Sequence, residues 1–466
     1  MSDQARVAAP QSEIRKRGAG RAAHNYPGLS LRRNFSWTFV GNVVYAASQW
    51  ASLAILARLG RPELVGKFAL ALAITAPIFL LGNLSLRTIQ ASDAREEHRF
   101  GDLLALRLIT TSLALFVTFA IAATANFPRE TTLVICIVAV AKGFDAIGDI
   151  FNGLFQHHER MDLVARALMA NGVLSLLAMA VALIATKSVV WGSAGYAAAS
   201  LVVLIGYSIP TGLVLLKREK IETWSPLSIV GRPSNDGYAI HHSPPAMRRL
   251  LRLALPLGLA ASLNSINANV PRYTVERFLG EHELGIFAAL AYVVLAANLI
   301  ASALAQSALP RLSRYHASGD IGSFQRLVSK LLGVAAVIGF IGCFVSAIFG
   351  SWILRILYGP EYARFDDVLL WLMIAATLAC AGWFLDSSIF AAHRFLDQFR
   401  ISIAVFVVVG IACGVLVPHH GLIGAAWATC VGMGFQVALK AFVVYFGLLT
   451  KTPTPVEFRP SEYHKL

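Results

Sequence analysis

The sequence predicts an all-α integral membrane protein of about twelve transmembrane helices, set as two six-helix bundles related by a pseudo-two-fold axis along the membrane normal. Three observations predict it: the composition, the length of the apolar runs, and a repeat. Of 466 residues, 56% are hydrophobic and 14% charged, with a mean hydropathy of +0.63. A soluble domain carries about a quarter charged residues. The apolar runs recur at close to the ~20 residues that cross a hydrocarbon core. They are continuous and rich in Leu, Ala, Val, Ile and Gly, whereas membrane β-strands alternate over about ten residues.

In chain order, the spans fall at about 36–57, 66–86, 102–124, 131–155, 163–185 and 190–216, then 250–271, 284–309, 328–350, 366–390, 400–417 and 421–447. The last two are crowded, since 400–447 is short for two passes and a turn. Residues 1–35 are polar and basic and read as a disordered cytoplasmic N-terminus with no cleavable signal peptide. The N-terminal bundle is 36–216. Residues 217–249, with Ser225, Pro226, Gly231, Pro233, Pro244 and Pro245, have linker composition. The C-terminal bundle is 250–447, and 448–466 is a cytoplasmic tail. No loop has room for a soluble catalytic domain, which argues against an enzyme.

The repeat lies between the first two spans of each half. Leu59-Gly60 is followed by Glu63-Leu64-Val65-Gly66-Lys67-Phe68-Ala69, and Leu279-Gly280 by Glu283-Leu284-Gly285-Ile286-Phe287-Ala288. Both fit L-G-x-x-E-L and then G-x-F-A, with one extra residue in the first copy. An even number of spans per half makes the repeats parallel, an arrangement common in transporters that rock two bundles about a central site.

The net charge of +14 invites a nucleic-acid reading, but the distribution decides otherwise. With the N-terminus inside, 29 of the 40 Lys and Arg fall in inside segments and 9 outside, leaving Lys142 and Lys440 within spans. That asymmetry obeys the positive-inside rule and places both termini in the cytoplasm of a multi-pass inner (plasma) membrane protein. Attraction to anionic membrane lipids accounts for the rest, so no nucleic-acid partner is expected. The five cysteines all lie in apolar spans without metal or disulfide spacing. His157-His158 with Glu159 lacks further ligands nearby, so no metal or cofactor is expected.

Charged groups at mid-bilayer cost about 2.5–3.5 kcal/mol on insertion scales and should face the protein interior. Lys142, Asp145, Asp149, Asn152 and Gln156 recur at steps of three and four on the fourth span, as one polar stripe. Asn264, Asn267, Arg272 and Glu276 make a second on the seventh span, with Pro256 and Pro271 as kinks. Asn42 and Gln49 share a face of the first span. The plainer reading pairs Lys142 with Asp145 and Arg272 with Glu276 for neutralisation alone. Five polar groups on one helix exceed that need and favour a wet crevice between the halves, which Asp386, Asn298 and Gln306 could also line. Arg87, Arg107 and Arg311 read as snorkelling residues at the cytoplasmic interface.

The chain resembles the Wzx-type oligosaccharide flippases, polysaccharide-biosynthesis transporters of the multidrug/oligosaccharidyl-lipid/polysaccharide exporter superfamily, from about residue 31 to 447. The resemblance is carried by Asn34-Phe35-Ser36-Trp37 through Leu59-Gly60, by Leu86-Arg87 to the Asp93–Arg95 loop, and by Gly153-Leu154-Phe155-Gln156 with Glu159-Arg160-Met161-Asp162. In the second half it is carried by Pro271-Arg272-Tyr273 with Glu276, Leu284-Gly285-Ile286-Phe287, and Leu357-Tyr358-Gly359-Pro360-Glu361-Tyr362. It implies a flippase moving polyprenyl-pyrophosphate-linked oligosaccharide to the outer leaflet, with polysaccharide polymerase and glycosyltransferases as partners. Lys142 and Arg272 are then the candidates for phosphate or sugar contact, with Asn42, Gln49, Asn264 and Asn267 lining the substrate path. Asp145, Asp149 and Glu276 are candidates for proton or ion coupling. The rival is a cation-coupled multidrug antiporter of the same superfamily, whose cavity would be mainly acidic and aromatic. A polymerase or ligase would need a large outer loop, which the sequence lacks.

Overall fold

In the computed structural model the described residues are 31–59, 61–92, 100–218, 244–293, 295–392 and 394–446, and no strand occurs among them. The N-terminal segment 1–30, the linker residues 219–243 and the tail from 447 lie outside them, as do the Asp93–Arg95 loop and the side chains of Asn298 and Gln306.

The first span is α1 (Leu31–Leu59). The second is α2 (Pro62–Asn83) followed by a short α3 (Leu86–Ser92), and the third is α4 (Phe100–Thr124). Then come α5 (Arg129–His157), α6 (Met161–Thr186), and α7 (Val189–Val203), which runs through a wide turn at Leu204–Ser208 into α8 (Ile209–Arg218). The second half begins with α9 (Pro244–Leu279), then α10 (Glu281–Val293) and α11 (Leu295–Ala317) as the eighth span. It ends with α12 (Ile321–Leu357), α13 (Asp366–Ala391) and α14 (Phe395–Val444). The crowded last pair is real: α14 holds two passes, broken where Gly421 takes φ 59° and ψ −138°, a conformation glycine alone adopts freely.

Eight stretches among the described residues are long and apolar enough to cross a membrane, the last being the double pass. The others needed for twelve are α5, α9 and the α10–α11 pair. On α5, Lys142, Asp145 and Asp149 dilute the hydropathy that a spanning helix usually shows.

The halves pack alike. In the first bundle α1 lies on α6, α2 on α5, α4 on α5, and α5 on α7. In the second, α9 lies on α14, α11 on α13, α12 on α13, and α13 on α14. Each pairing in one half has its counterpart in the other, as the repeat predicts. Large apolar side chains such as Phe116, Val181, Phe340 and Trp352 point outward, as expected of a surface solvated by lipid.

The two bundles join where α2 meets α10, at the end carrying the first turn of each half. Gly66 and Gly285, equivalent residues of the repeat, face each other there: a Cβ on Gly66 would stand 2.8 Å from the Glu281 carbonyl carbon, and one on Gly285 would stand 2.7 Å from that of Pro62. The repeat therefore encodes a backbone-to-backbone contact on the pseudo-two-fold axis. One apolar core crosses it, with Leu53, Val65 and Phe68 from one bundle and Leu284, Phe287 and Tyr358 from the other.

Candidate functional site: two ionic centres in the first bundle

The fourth-span stripe does not act as one unit. Its upper part, Lys142 and Asp145, turns toward α6 and α7. Lys142 Nζ donates to Tyr196 Oη at 3.0 Å and to Asp145 Oδ2 at 3.4 Å, while Tyr196 Oη donates to the same oxygen at 3.2 Å. Asn171 Nδ2 donates to Asp145 Oδ1 at 2.9 Å, and its own oxygen accepts from Ser175 and Ser200. The Lys142–Asp145 pair of the plainer reading thus exists, but inside a network drawn from three spans. It is not sealed: the two side chains keep 23% and 20% exposure. Tyr45 of α1 lies within electrostatic reach of Lys142, Asp145 and, across the seam, Tyr292 of α10. The helix that carries Tyr45, α1, also packs on α10 of the other bundle.

The lower part of the stripe faces α3 and α4. Asp149 accepts from Arg87 Nη1 on one oxygen and from Arg107 Nη2 on the other, both at 3.2 Å. Gln156 Oε1 accepts from Arg87 Nε at 3.1 Å, and Asn83 Oδ1 accepts from Arg107. Arg107 is fully buried, which corrects the snorkelling assignment; Arg87 and Asp149 are about 30% exposed. A fully buried guanidinium needs a counter-charge, and Asp149 supplies it. The arrangement depends on a break in the second span, where Leu84 and Ser85 both take φ 50°. Non-glycine residues rarely adopt that region, and such strain clusters at working sites. The break drops α3 onto Gly153 of α5, bringing Arg87 over Asp149. Asn152 is buried nearby with its side-chain oxygen unpartnered.

On the seventh span the expected Arg272–Glu276 pair does not form. Arg272 donates instead to Asn269 Oδ1 at 2.6 Å, one turn earlier, and Glu276 has no ion pair among the described residues. Asn267 Nδ2 donates to the Ser402 carbonyl at 2.9 Å, and Asn264 Oδ1 accepts from Ser402 Oγ at 2.9 Å, so both tie α9 to α14. Gln49 is half-buried on α1, close to Tyr45, and Asn42 is exposed about two turns earlier on the same helix. Arg311 is exposed. No cluster of three metal-ligating side chains occurs among the described residues.

Asp386 and Lys440, 54 residues apart, carry no local pattern that marks them as partners. They form an ion pair at 2.8 Å between α13 and α14, with Lys440 2% exposed. The α13–α14 pairing that holds it is the counterpart of α5–α7, which holds Lys142 and Tyr196. Each bundle thus carries a lysine–aspartate pair, lying within α5 in the first bundle, where Tyr196 of α7 joins it, and bridging α13 and α14 in the second.

The end with the first turns is bolted across the seam. Trp50 Nε1 donates to Tyr358 Oη at 3.0 Å, and Arg58 Nε to the Leu357 carbonyl at 3.1 Å. His282 Nδ1 lies 3.0 Å from Glu63, Thr131 donates to Glu281, and Tyr273 donates to the Ala73 carbonyl. At the opposite end, Leu250 and Ala254 of α9 pack on Leu84, Leu86 and Ile89.

This geometry has relatives. Residues 31–316 match the family described as polysaccharide biosynthesis protein. The chain is 26% identical over 416 residues to the capsular polysaccharide biosynthesis protein CapF of Staphylococcus aureus, covering 89% of this chain and 98% of that protein. In fold it is similar to an inward-facing multidrug resistance MATE family transporter of the MOP superfamily (TM-score 0.67, 10% identity, 88% and 98% of the two chains). It is equally similar to the lipid II flippase MurJ in an inward closed conformation (TM-score 0.67, 13% identity, 87% of each chain). The spans form two matched bundles with charged centres held inside them, and the chain belongs to the polysaccharide biosynthesis protein family of Wzx-type membrane flippases, which are transporters and not enzymes.

Proposed function

We propose that this transporter flips polyprenyl-pyrophosphate-linked oligosaccharide across the cell membrane for extracellular polysaccharide synthesis, by alternating access of a crevice between the two bundles. The carrying observation is the Lys142 centre: a lysine and a carboxylate in mid-span, one-fifth exposed and within electrostatic reach of Tyr45, whose helix also packs on the partner bundle. Ionised groups at that depth are rare, face a bundle interior or a water-filled cavity, and mark substrate or ion pathways. Lys142 and Arg272 make the phosphate or sugar contacts, with Asn42, Gln49, Asn264 and Asn267 along the path. Asp145, Asp149 and Glu276 serve the coupling ion, and Glu276, which has no ion-pair partner among the described residues, is best placed to exchange a proton. The end with the first turns faces outward and both termini face the cytoplasm, as the basic loops favour. The likeness to CapF supports a capsule-like product.

The test is polymer export from a deletion strain carrying Lys142→Ala or Arg272→Ala, with membrane insertion verified. Export should be abolished, and wild-type export from either variant removes that residue from the path. The multidrug antiporter reading fits less well, because Asp145 and Asp386 are each already matched by a lysine, which leaves Glu276 as the carboxylate without an ion pair among the described candidates. Broad drug sensitisation of the deletion strain with normal polymer export would favour it.

A further inference from the structure

The Arg87–Arg107–Asp149 cluster carries an imbalance that packing does not explain. Two guanidinium groups converge on one carboxylate, and the other acceptors, Asn83 and Gln156, are neutral. Arg107 is fully buried and its Nε has no partner. A surplus positive charge with an unused, buried donor is costly in a low-dielectric interior, and an arginine pair is the arrangement that grips phosphate oxygens in two-pronged fashion. The cluster is also reachable, since Arg87 and Asp149 are each more than a quarter exposed. It lies at the strained break of the second span, beside the place where α9 of the other bundle packs.

We propose that Arg87 and Arg107 form a seat for a phosphate or diphosphate ester, distinct from the Lys142 centre, with Asp149 as the resident counter-ion that the ligand partly displaces. The inference rests on the flippase reading for its ligand class. In that reading the seat lies at the cytoplasmic end and takes the headgroup before it reaches Lys142. A phospholipid headgroup offers the same chemistry, so the test separates the two sources.

The full chain in phosphatidylcholine nanodiscs is titrated with farnesyl diphosphate, with inorganic pyrophosphate as the bare headgroup and farnesol as the uncharged control. Wild type should bind farnesyl diphosphate saturably and farnesol not at all. Arg87→Gln should weaken binding at least tenfold, and Arg107→Gln likewise if it folds. Asp149→Asn should tighten binding severalfold, because it removes the competing carboxylate. A merely structural ion pair would give no such gain. Competition by phosphatidylglycerol assigns the seat to membrane phospholipid, and its absence assigns the seat to a prenyl-linked donor; either keeps the phosphate chemistry. The proposal is overturned by absent saturable binding, by unchanged affinity in Arg87→Gln, or by Asp149→Asn weakening binding as much as Arg87→Gln. Transport without an Arg87 effect on binding sinks the seat alone. Binding through Arg87 without oligosaccharide transport sinks the flippase reading alone.

Discussion

Replacing Gly66 by alanine should force the two bundles apart at the end where they now touch. The added Cβ would stand 2.8 Å from the Glu281 carbonyl carbon, and ordinary contact begins at 3.4 Å, so the helices must part by at least about 0.6 Å. The obstacle is backbone, which cannot rotate aside as a side chain would. Overpacking of this kind costs about 1–3 kcal/mol, and that cost falls only on the state with this end closed. The closed state should therefore lose roughly 5- to 150-fold in relative population. Gly285→Ala makes the symmetric clash with Pro62 and should act alike. Gly333, whose Cβ position is open space, is the control. The assay is the distance distribution between spin labels at Lys187 and Arg364, one in each bundle, after replacing the five native cysteines. Gly66→Ala should shift weight to longer distances, and Gly333→Ala should not. An unchanged distribution in a folded Gly66→Ala protein would refute the view that this contact is the closed end's limiting approach.

Two further outcomes follow from the ionic pairs. Lys440→Met strands Asp386 in the second bundle and should cost about 3–5 kcal/mol, read as a fall in thermal unfolding temperature in detergent, whereas adding Asp386→Leu should recover most of it. Tyr196→Phe removes a hydroxyl that accepts from Lys142 and donates to Asp145, and should cost about 1–3 kcal/mol in the same measurement. A neutral Tyr196→Phe would mean that Lys142 and Asp145 close up without it.

Much of the architecture was legible because the bilayer imposes so few solutions. Run length fixes the helices, and the L-G-x-x-E-L repeat locates the two turns and, through Gly66 and Gly285, the axis itself. The site was legible only in part. The periodicity of α5 correctly put Lys142, Asp145 and Asp149 on one helix, but partners come from other spans. Arg87 and Arg107 stand 62 and 42 residues from Asp149, and Lys440 stands 54 from Asp386. No local pattern records such pairings. Arg107 looked like an interfacial residue because it opens an apolar run, yet the break at Leu84–Ser85, made without glycine or proline, folds α3 over it. Arg272 and Glu276 show the opposite failure: correct spacing for a pair, but Asn269 lies closer to the guanidinium.

The central claim is tested most directly by translocation in proteoliposomes holding only this chain and a fluorescent polyprenyl-pyrophosphate oligosaccharide, with leaflet exposure read by a membrane-impermeant quencher. The account predicts transfer by wild type that is lost in Lys142→Ala while a pure phospholipid probe stays in place. Equal transfer by wild type, Lys142→Ala and protein-free vesicles would contradict it.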